Sequence, residues 1–509
     1  MPSVGPSWCS IRHRILAVRR RATVASCRGW RNESRKDELV RHVEQSACWV
    51  RILGNTGPIM IRCYRGIRFA EPPIGDLRWS PPVDVYDEAP LGEWAPDCPQ
   101  PSPPIPGAPE GPGQSEDCLF LNVWAPEGAQ GLPVLVWFFG GSFLFGSAST
   151  PDWSLLAAQG CVVVSAAYRV GLLGFLAHPA LSTESPTGSS GNYGLLDNLA
   201  ALRWVRERIA DYGGDPQRIT PFGVSAGSAA LALLQTSPLA AGAFDGLILQ
   251  SPGAFRPLAP LGDAEEAALT AYGPDIDAMR SWTPEEVLER AGALVPAMRA
   301  LTAPRLLRPI RDGWVIPADD RNSYRSGSFH NVPTIVGGSR DEGSSLTARW
   351  TVETAASYRE LLAASFGELA NEAFEYYPAA TDADVRRAVA DLFGDTQFAL
   401  GARGIAAAVS TRQPQTWRYL YAWLPEGRKD GPHHGGDIGG IIDRSTPPGV
   451  TMSDAWVRFA ATGDPNDPSA PTWPSYTAAA DEYLEFGDPP HVSTHWRTKQ
   501  LDFLERYYG

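Results

Sequence analysis

The 509-residue sequence predicts an α/β fold in which a large, mostly parallel central sheet carries helices on both faces. Two observations predict it. Between residues 132 and 250, strand-like and helix-like stretches alternate in the order a doubly wound sheet requires. The strand-like runs are apolar throughout, as in Cys161-Val162-Val163-Val164, so they need cover on both faces and hence parallel neighbours.

The chain opens on a basic stretch. Residues 1–50 hold 10 Lys and Arg against 4 Asp and Glu, and residues 1–47 read as a basic tail, either disordered or a presequence. Residues 48–509 read as one folded domain. It begins with two strands, 48–53 and 59–64, joined by the turn Gly54-Asn55-Thr56-Gly57. Residues 71–115 are rich in Pro and Gly and read as an irregular surface loop. The β-branched and apolar composition then predicts strands at 132–139, 161–168, 218–222, 246–250 and 332–337. Helices are predicted at 151–159, 195–212 and 225–235, and helical segments within 262–308 and 350–414. These last either cover the core or cap a site.

Composition excludes several classes. With 43% apolar and 10% aromatic residues the chain is globular rather than disordered, and seven cysteines in this length do not make a disulfide scaffold. The longest apolar run, 132–145, is interrupted by Gly140-Gly141-Ser142 and falls short of the ~20 residues a membrane helix needs. The whole chain carries −13 and residues 1–50 carry +6, so the remainder carries −19, a poor match to a phosphate backbone. Nucleic acid and membrane spans are therefore not expected. No secretory signal is readable, and location is left open.

The sharpest chemical signal is Gly223-Val224-Ser225-Ala226-Gly227, placed between a predicted strand and a predicted helix. Its glycines permit a tight turn that lifts a serine oxygen to the carboxyl end of a sheet, and the helix behind it directs its N-terminal dipole at developing negative charge. A serine needs a base and an acid, in the chain order Ser, acid, His for this architecture. Of eight histidines, His433 and His434 in Gly431-Pro432-His433-His434-Gly435-Gly436-Asp437 lie in a Gly-rich loop late in the chain, a natural position for a catalytic side chain. Asp341 and Glu342, after the 332–337 strand, each supply a carboxylate. Trp137-Phe138-Phe139-Gly140-Gly141-Ser142-Phe143 offers backbone amides for an oxyanion hole. No Cys or second His cluster completes a metal site, and no cofactor is expected.

These motifs and further blocks, among them Tyr64-Arg65-Gly66-Ile67-Arg68-Phe69, Ser115-Glu116-Asp117-Cys118-Leu119, Tyr168-Arg169-Val170-Gly171 and Gly191-Asn192-Tyr193-Gly194, resemble the type-B carboxylesterases of the α/β-hydrolase superfamily, from about residue 50 to 490. The resemblance implies an α/β-hydrolase fold and a serine esterase that forms an acyl-enzyme. It puts the nucleophile at Ser225, the acid at Glu342, the base at His434 and the oxyanion amides at Gly141, Ser142 and Ala226. It implies a disulfide between Cys98 and Cys118. The expected partner is a small-molecule ester, and the chain is expected to be a monomer or homodimer.

Three departures from the family pattern stand near the site. Val224 replaces an acidic residue before the serine, which argues against a choline-ester specialist. Phe139 replaces a His or Tyr, and Ser142 a glycine; with Phe143, Phe139 and Val224 are candidates to line the substrate pocket. Blocks such as Gln250-Ser251-Pro252-Gly253 and Gly394-Asp395-Thr396-Gln397-Phe398 resemble bacterial esterases that remove tricarballylate side chains from fumonisins. Two alternatives use the same residues differently: acyl transfer or cyclisation in biosynthesis, and a non-catalytic binding member of the family.

Overall fold

The computed structural model describes residues 48–509, apart from 55–56, 102–110, 296–300, 428–430, 443–445 and 469–471. The expected basic tail lies outside the described residues. Eleven strands form one sheet: β1 (Cys48–Gly54), β2 (Gly57–Arg68), β3 (Phe120–Pro126), β4 (Leu132–Phe138), β5 (Val162–Ala166), β6 (Gly214–Val224), β7 (Leu247–Gln250), β8 (Thr334–Ser339), β9 (Thr416–Tyr421), β10 (Glu482–Phe486) and β11 (His491–Thr494). Their spatial order is β1-β2-β3-β5-β4-β6-β7-β8-β9-β10-β11.

From β5 through β4, β6, β7, β8 and β9 to β10 every ladder is parallel, whereas β1, β2 and β3 on one side and β11 on the other pair antiparallel. Central strands β5 and β7 are buried along their whole length because helices cover both faces. In an open parallel sheet the ligand crevice lies beyond the carboxyl ends of the strands. The candidate residues all follow such ends: Gly140–Phe143 after β4, Ser225 after β6, Ser251 after β7, Glu342 after β8 and His434 after β9.

Two helices fix that arrangement, α1 (Tyr193–Arg208) and α2 (Ala226–Thr236). Helix α2 is buried at every position, as its Ala- and Leu-rich sequence requires. Helix α1 is tied to the turn after β5 by Arg169, whose backbone N–H and Nε each donate to Asp197 Oδ2 at 2.9 Å and whose Nη2 donates to Oδ1 at 2.8 Å. Helices from the 350–414 region, including α3 (Asp382–Gly394) and α4 (Leu400–Ser410), pack with the C-terminal helix around their own apolar cluster, built on Tyr358, Phe366, Leu392, Phe398, Leu501 and Phe503. A π-helical turn, Asp395–Ala399, joins α3 to α4.

Several expectations shift. The 151–159 helix contracts to Ser154–Ala157, and the 218–222 strand extends to Gly214–Val224. Strands β3, β9, β10 and β11 carry no sequence prediction. Cys98 and Cys118 are free thiols, buried and joined by a side-chain hydrogen bond, not the expected disulfide. That bond and burial hold the Cys118 thiol well above its ordinary pKa, which disfavours the thiolate that oxidation requires.

Asp197→Ala would leave the Arg169 guanidinium, 2% exposed, without its counter-ion in the core. The expected loss is about 3–5 kcal/mol, read as a lower midpoint in urea unfolding, with Asp197→Asn less damaging.

Candidate active site

Ser225 occupies a sharp elbow, at φ 56° and ψ −116°, between β6 and α2. Its N–H donates to Gln250 O on β7 at 3.0 Å, and its carbonyl accepts from Ala229 N–H at 2.8 Å. A non-glycine residue at positive φ is strained by about 1–3 kcal/mol, and here the surrounding backbone enforces it. Gly223 and Gly227 flank the elbow. A Cβ at Gly223 would lie 2.7 Å from Phe138 O, and one at Gly227 would overlap the same oxygen.

The segment after β4 turns with three consecutive positive φ values, at Gly141 (120°), Ser142 (60°) and Phe143 (64°). A Cβ at Gly141 would overlap Phe145 O. The loop is pinned by Tyr168 Oη donating to Phe139 O at 2.8 Å and Gly171 N–H donating to Phe143 O at 2.7 Å. The N–H groups of Gly141, Ser142 and Ala226 donate to no group among the described residues. Phe139 is buried and stacked on Tyr168 at 4.3 Å, and Phe143 is buried edge-on against Phe175; of the three pocket candidates only Val224 is half-buried.

The acid and base meet. His434 Nδ1 lies 2.5 Å from Glu342 Oε2, and the carboxylate is 3% exposed. Oε1 of Glu342 accepts from Ser339 N–H and from Ser251 Oγ, each at 2.6 Å. A carboxylate so engaged is an acceptor, so Nδ1 supplies the proton of that bond and Nε2 is the ring nitrogen left to serve Ser225. The Ser225 hydroxyl makes no hydrogen bond among the described residues, and the Ser225–His434 bond is not formed in this structure. Such bonds often tighten only around substrate.

The alternatives left open by sequence separate. Asp341 accepts from Ser344 N–H and Oγ and pairs with Arg387, while His433 Nδ1 lies 3.1 Å from Ser344 Oγ; neither reaches the Glu342–His434 pair. Three contributors escaped the sequence reading of the site. Ser251 orients Glu342. Phe398, in the π-turn, stacks on the His434 ring at 4.4 Å and 29°. Asp437, fully buried, accepts from Tyr419 Oη at 2.6 Å, and burial holds its carboxyl above the ordinary range. Ser251 and Asp437 fall inside recognisable blocks, but nothing in Phe398's sequence context announces a ring stacked on histidine. Among the described residues no group of three or more His, Cys, Asp or Glu converges as metal ligands would.

The model of the carboxylesterase family matches residues 50–504. The chain belongs to that family. This carboxylesterase is a carboxylic ester hydrolase of the α/β-hydrolase fold. It is 42% identical over 476 residues to fumonisin B1 esterase of Sphingopyxis macrogoltabida, covering 88% of this chain and 86% of that one. It is 33% identical over 463 residues to para-nitrobenzyl esterase of Bacillus subtilis (strain 168), covering 83% and 90%. A solved PNB esterase structure superposes with a TM-score of 0.75 at 29% identity, covering 90% of this carboxylesterase and 99% of that chain. No helix among the described residues is long and apolar enough to cross a membrane.

If Ser251 aligns Glu342, then Ser251→Ala in this carboxylesterase lowers kcat by about 10- to 100-fold, the worth of a hydrogen bond to a charged group, and leaves KM nearly unchanged. Steady-state kinetics on a simple ester checks it; equal losses in kcat and thermal stability would instead mark Ser251 as a packing residue.

Proposed function

We propose that this carboxylesterase works through Ser225, His434 and Glu342, and that its substrate is a bulky ester of a polycarboxylic acid, of the kind a fumonisin B1 esterase cleaves. His434 Nε2 takes the Ser225 proton as Oγ attacks the ester carbonyl. Glu342 holds the imidazole in the required tautomer and stabilises the imidazolium. The N–H groups of Gly141, Ser142 and Ala226 receive the oxyanion of the tetrahedral intermediate. Imidazolium then protonates the departing alcohol, and a water molecule repeats the sequence on the acyl-enzyme to release the acid.

The observation that carries this reading is the His434–Glu342 bond at 2.5 Å, held at the same end of the sheet as the Ser225 elbow. The 42% identity to a fumonisin B1 esterase supports the substrate class. Val224 keeps a negative charge out of the residue before the serine, which suits an anionic ester better than a cationic one.

Ser225→Ala is expected to lower kcat on the order of 10⁴-fold or more, and Glu342→Gln about 10⁴-fold by presenting the wrong tautomer. Organophosphate labelling checks the first assignment: one equivalent should attach to Ser225 in the native chain and none in Ser225→Ala. Full activity in Ser225→Ala would remove the serine from the mechanism.

A further inference from the structure

Residues 71–115 read as a surface loop from their sequence, yet one side chain of that segment is buried against the amide loop of the site. Gln100, 4% exposed, pairs with Gly146 at two points: its Oε1 accepts from Gly146 N–H at 2.7 Å, and its Nε2 donates to Gly146 O at 2.9 Å. Nε2 also donates to Cys98 O at 3.1 Å. The amide thus spends both donor hydrogens on carbonyls and its oxygen on an N–H, which fixes the way round it sits. Its own main chain is held as well, since Gln100 N–H donates to Gln114 Oε1 at 3.0 Å. One side chain supplies the two-point pairing that a neighbouring strand gives elsewhere in a sheet.

What Gly146 touches gives this clamp its meaning. Gly146 has φ 142°, and a Cβ there would overlap the Phe139 ring and lie 2.7 Å from Gly140 O. The loop that leaves β4 at Phe139 therefore returns at Gly146 to press on its own start. Gly140 O and Gly141 N–H belong to one planar peptide, so the oxygen that backs onto Gly146 and the N–H assigned to the oxyanion stand on opposite edges of a rigid plate. Contact with Val224 and Ser225 sets where Gly140 Cα lies, but not the tilt of that plate. Gly140 O accepts no hydrogen bond among the described residues, which leaves Gly146 as the stop behind it. The chain beyond is tied down in turn: Ser147 Oγ donates to Asp97 Oδ1 at 2.6 Å, and Ala148 O accepts from Asn122 Nδ2 at 3.0 Å and Ser165 Oγ at 2.8 Å. Of these ties, the one on Gly146 itself is made by Gln100.

We propose that Gln100 is a positioning residue for ester hydrolysis: through Gly146 it holds the Gly140–Gly141 peptide at the tilt that aims Gly141 N–H at the oxyanion. This rests on the reading of Ser225 as nucleophile and of the Gly141, Ser142 and Ala226 amides as its oxyanion hole, and it names what keeps one of those amides in place. A misaimed amide loses most where negative charge has developed, so the cost falls on kcat rather than on KM.

The test uses the purified full chain and two variants. Gln100→Met keeps the length of the side chain and removes both bonds to Gly146; Gln100→Glu keeps an acceptor for Gly146 N–H but sets a carboxylate oxygen against Gly146 O and Cys98 O. On a short-chain p-nitrophenyl ester each variant should lower kcat by about 10- to 100-fold, less than the ~10²–10³ cost of deleting an oxyanion donor outright, with KM nearly unchanged. An alkyl trifluoromethyl ketone, whose adduct with Ser225 carries an anionic oxygen, should lose affinity by the same factor as kcat/KM, while the matching secondary alcohol, which carries none, should bind as before. The pH dependence of Gln100→Glu separates aim from packing. Protonating the introduced carboxyl restores an O–H for Gly146 O beside the acceptor for Gly146 N–H, so the ratio of the variant's kcat/KM to the native value should rise as pH falls; the titration of His434 cancels in that ratio. Native kcat and ketone affinity in Gln100→Met overturn the proposal. So does an equal loss for ketone and alcohol, or failure of both variants to fold, since either makes Gln100 a packing residue. A native chain with neither turnover nor ketone inhibition overturns the esterase reading itself, whereas turnover that Gln100→Met leaves intact overturns only the role of Gln100.

Discussion

The site depends on how closely the backbones after β4 and β6 approach. A Cβ at Gly140 would lie 2.8 Å from Val224 O and 3.1 Å from Ser225 Cβ, and one at Gly223 would lie 2.7 Å from Phe138 O. Nothing larger than hydrogen fits between the two segments. Main chain therefore presses on main chain, and the loop that presents amides is positioned against the serine by peptide geometry rather than by adjustable side chains. The positive φ values at Ser142, Phe143 and Ser225 are the strain this contact imposes, of order 1–3 kcal/mol each. It persists because the strands behind it cannot yield: Val134 to Phe138 are in parallel register with Ile219 to Gly223, and both stretches are buried.

The histidine side of the site is built differently, from side chains. His434 follows a long connection from β9, and three contacts restrain its neighbourhood: Glu342 at Nδ1, the Phe398 ring on its face, and the backbone bridge between Asp341 and His433. The π-turn Asp395–Ala399 distributes its side chains to separate tasks. Asp395 accepts from Tyr377 Oη at 2.9 Å and Arg497 Nε at 2.6 Å, anchoring the turn to the C-terminal segment; Gln397 meets the arginines, and Phe398 meets the imidazole. An α-helix would place residues 395 and 398 on one face, and widening the turn by one residue lets neighbouring positions face different partners.

This division explains what the sequence reveals. The elbow and the amide loop are legible because glycine is the only residue that fits there, so the constraint is written in the residues themselves. The central strands are legible for a similar reason, since burial on both faces demands continuous apolar runs. Asp341 and Glu342 stand adjacent in one turn, as do His433 and His434, and local pattern cannot separate them; only the direction of each side chain does. Ser251 and Phe398 lie 91 and 36 positions from the residues they serve, Glu342 and His434, and such contacts are set by topology rather than by periodicity. Strands β3 and β9 are hard to read because Asn122, Arg418 and Thr416 interrupt their apolar character, yet each is buried with a polar partner: Asn122 Oδ1 accepts from Gly66 N–H on β2, Thr416 Oγ1 donates to Gln413 O and Arg418 Nη1 donates to Asp481 Oδ1.

The overall charge opposes an anionic substrate, because the chain beyond residue 50 carries −19. Distance resolves the conflict. At physiological ionic strength exposed charges are screened within about 8 Å, so the acidic surface lowers the encounter rate more than it weakens the bound state. Next to the serine the local charge matters more, since a group one residue from Ser225 is screened far less than one on the surface, and Val224 supplies no charge there. A cationic ester would find no carboxylate at the residue before the serine, where Val224 stands.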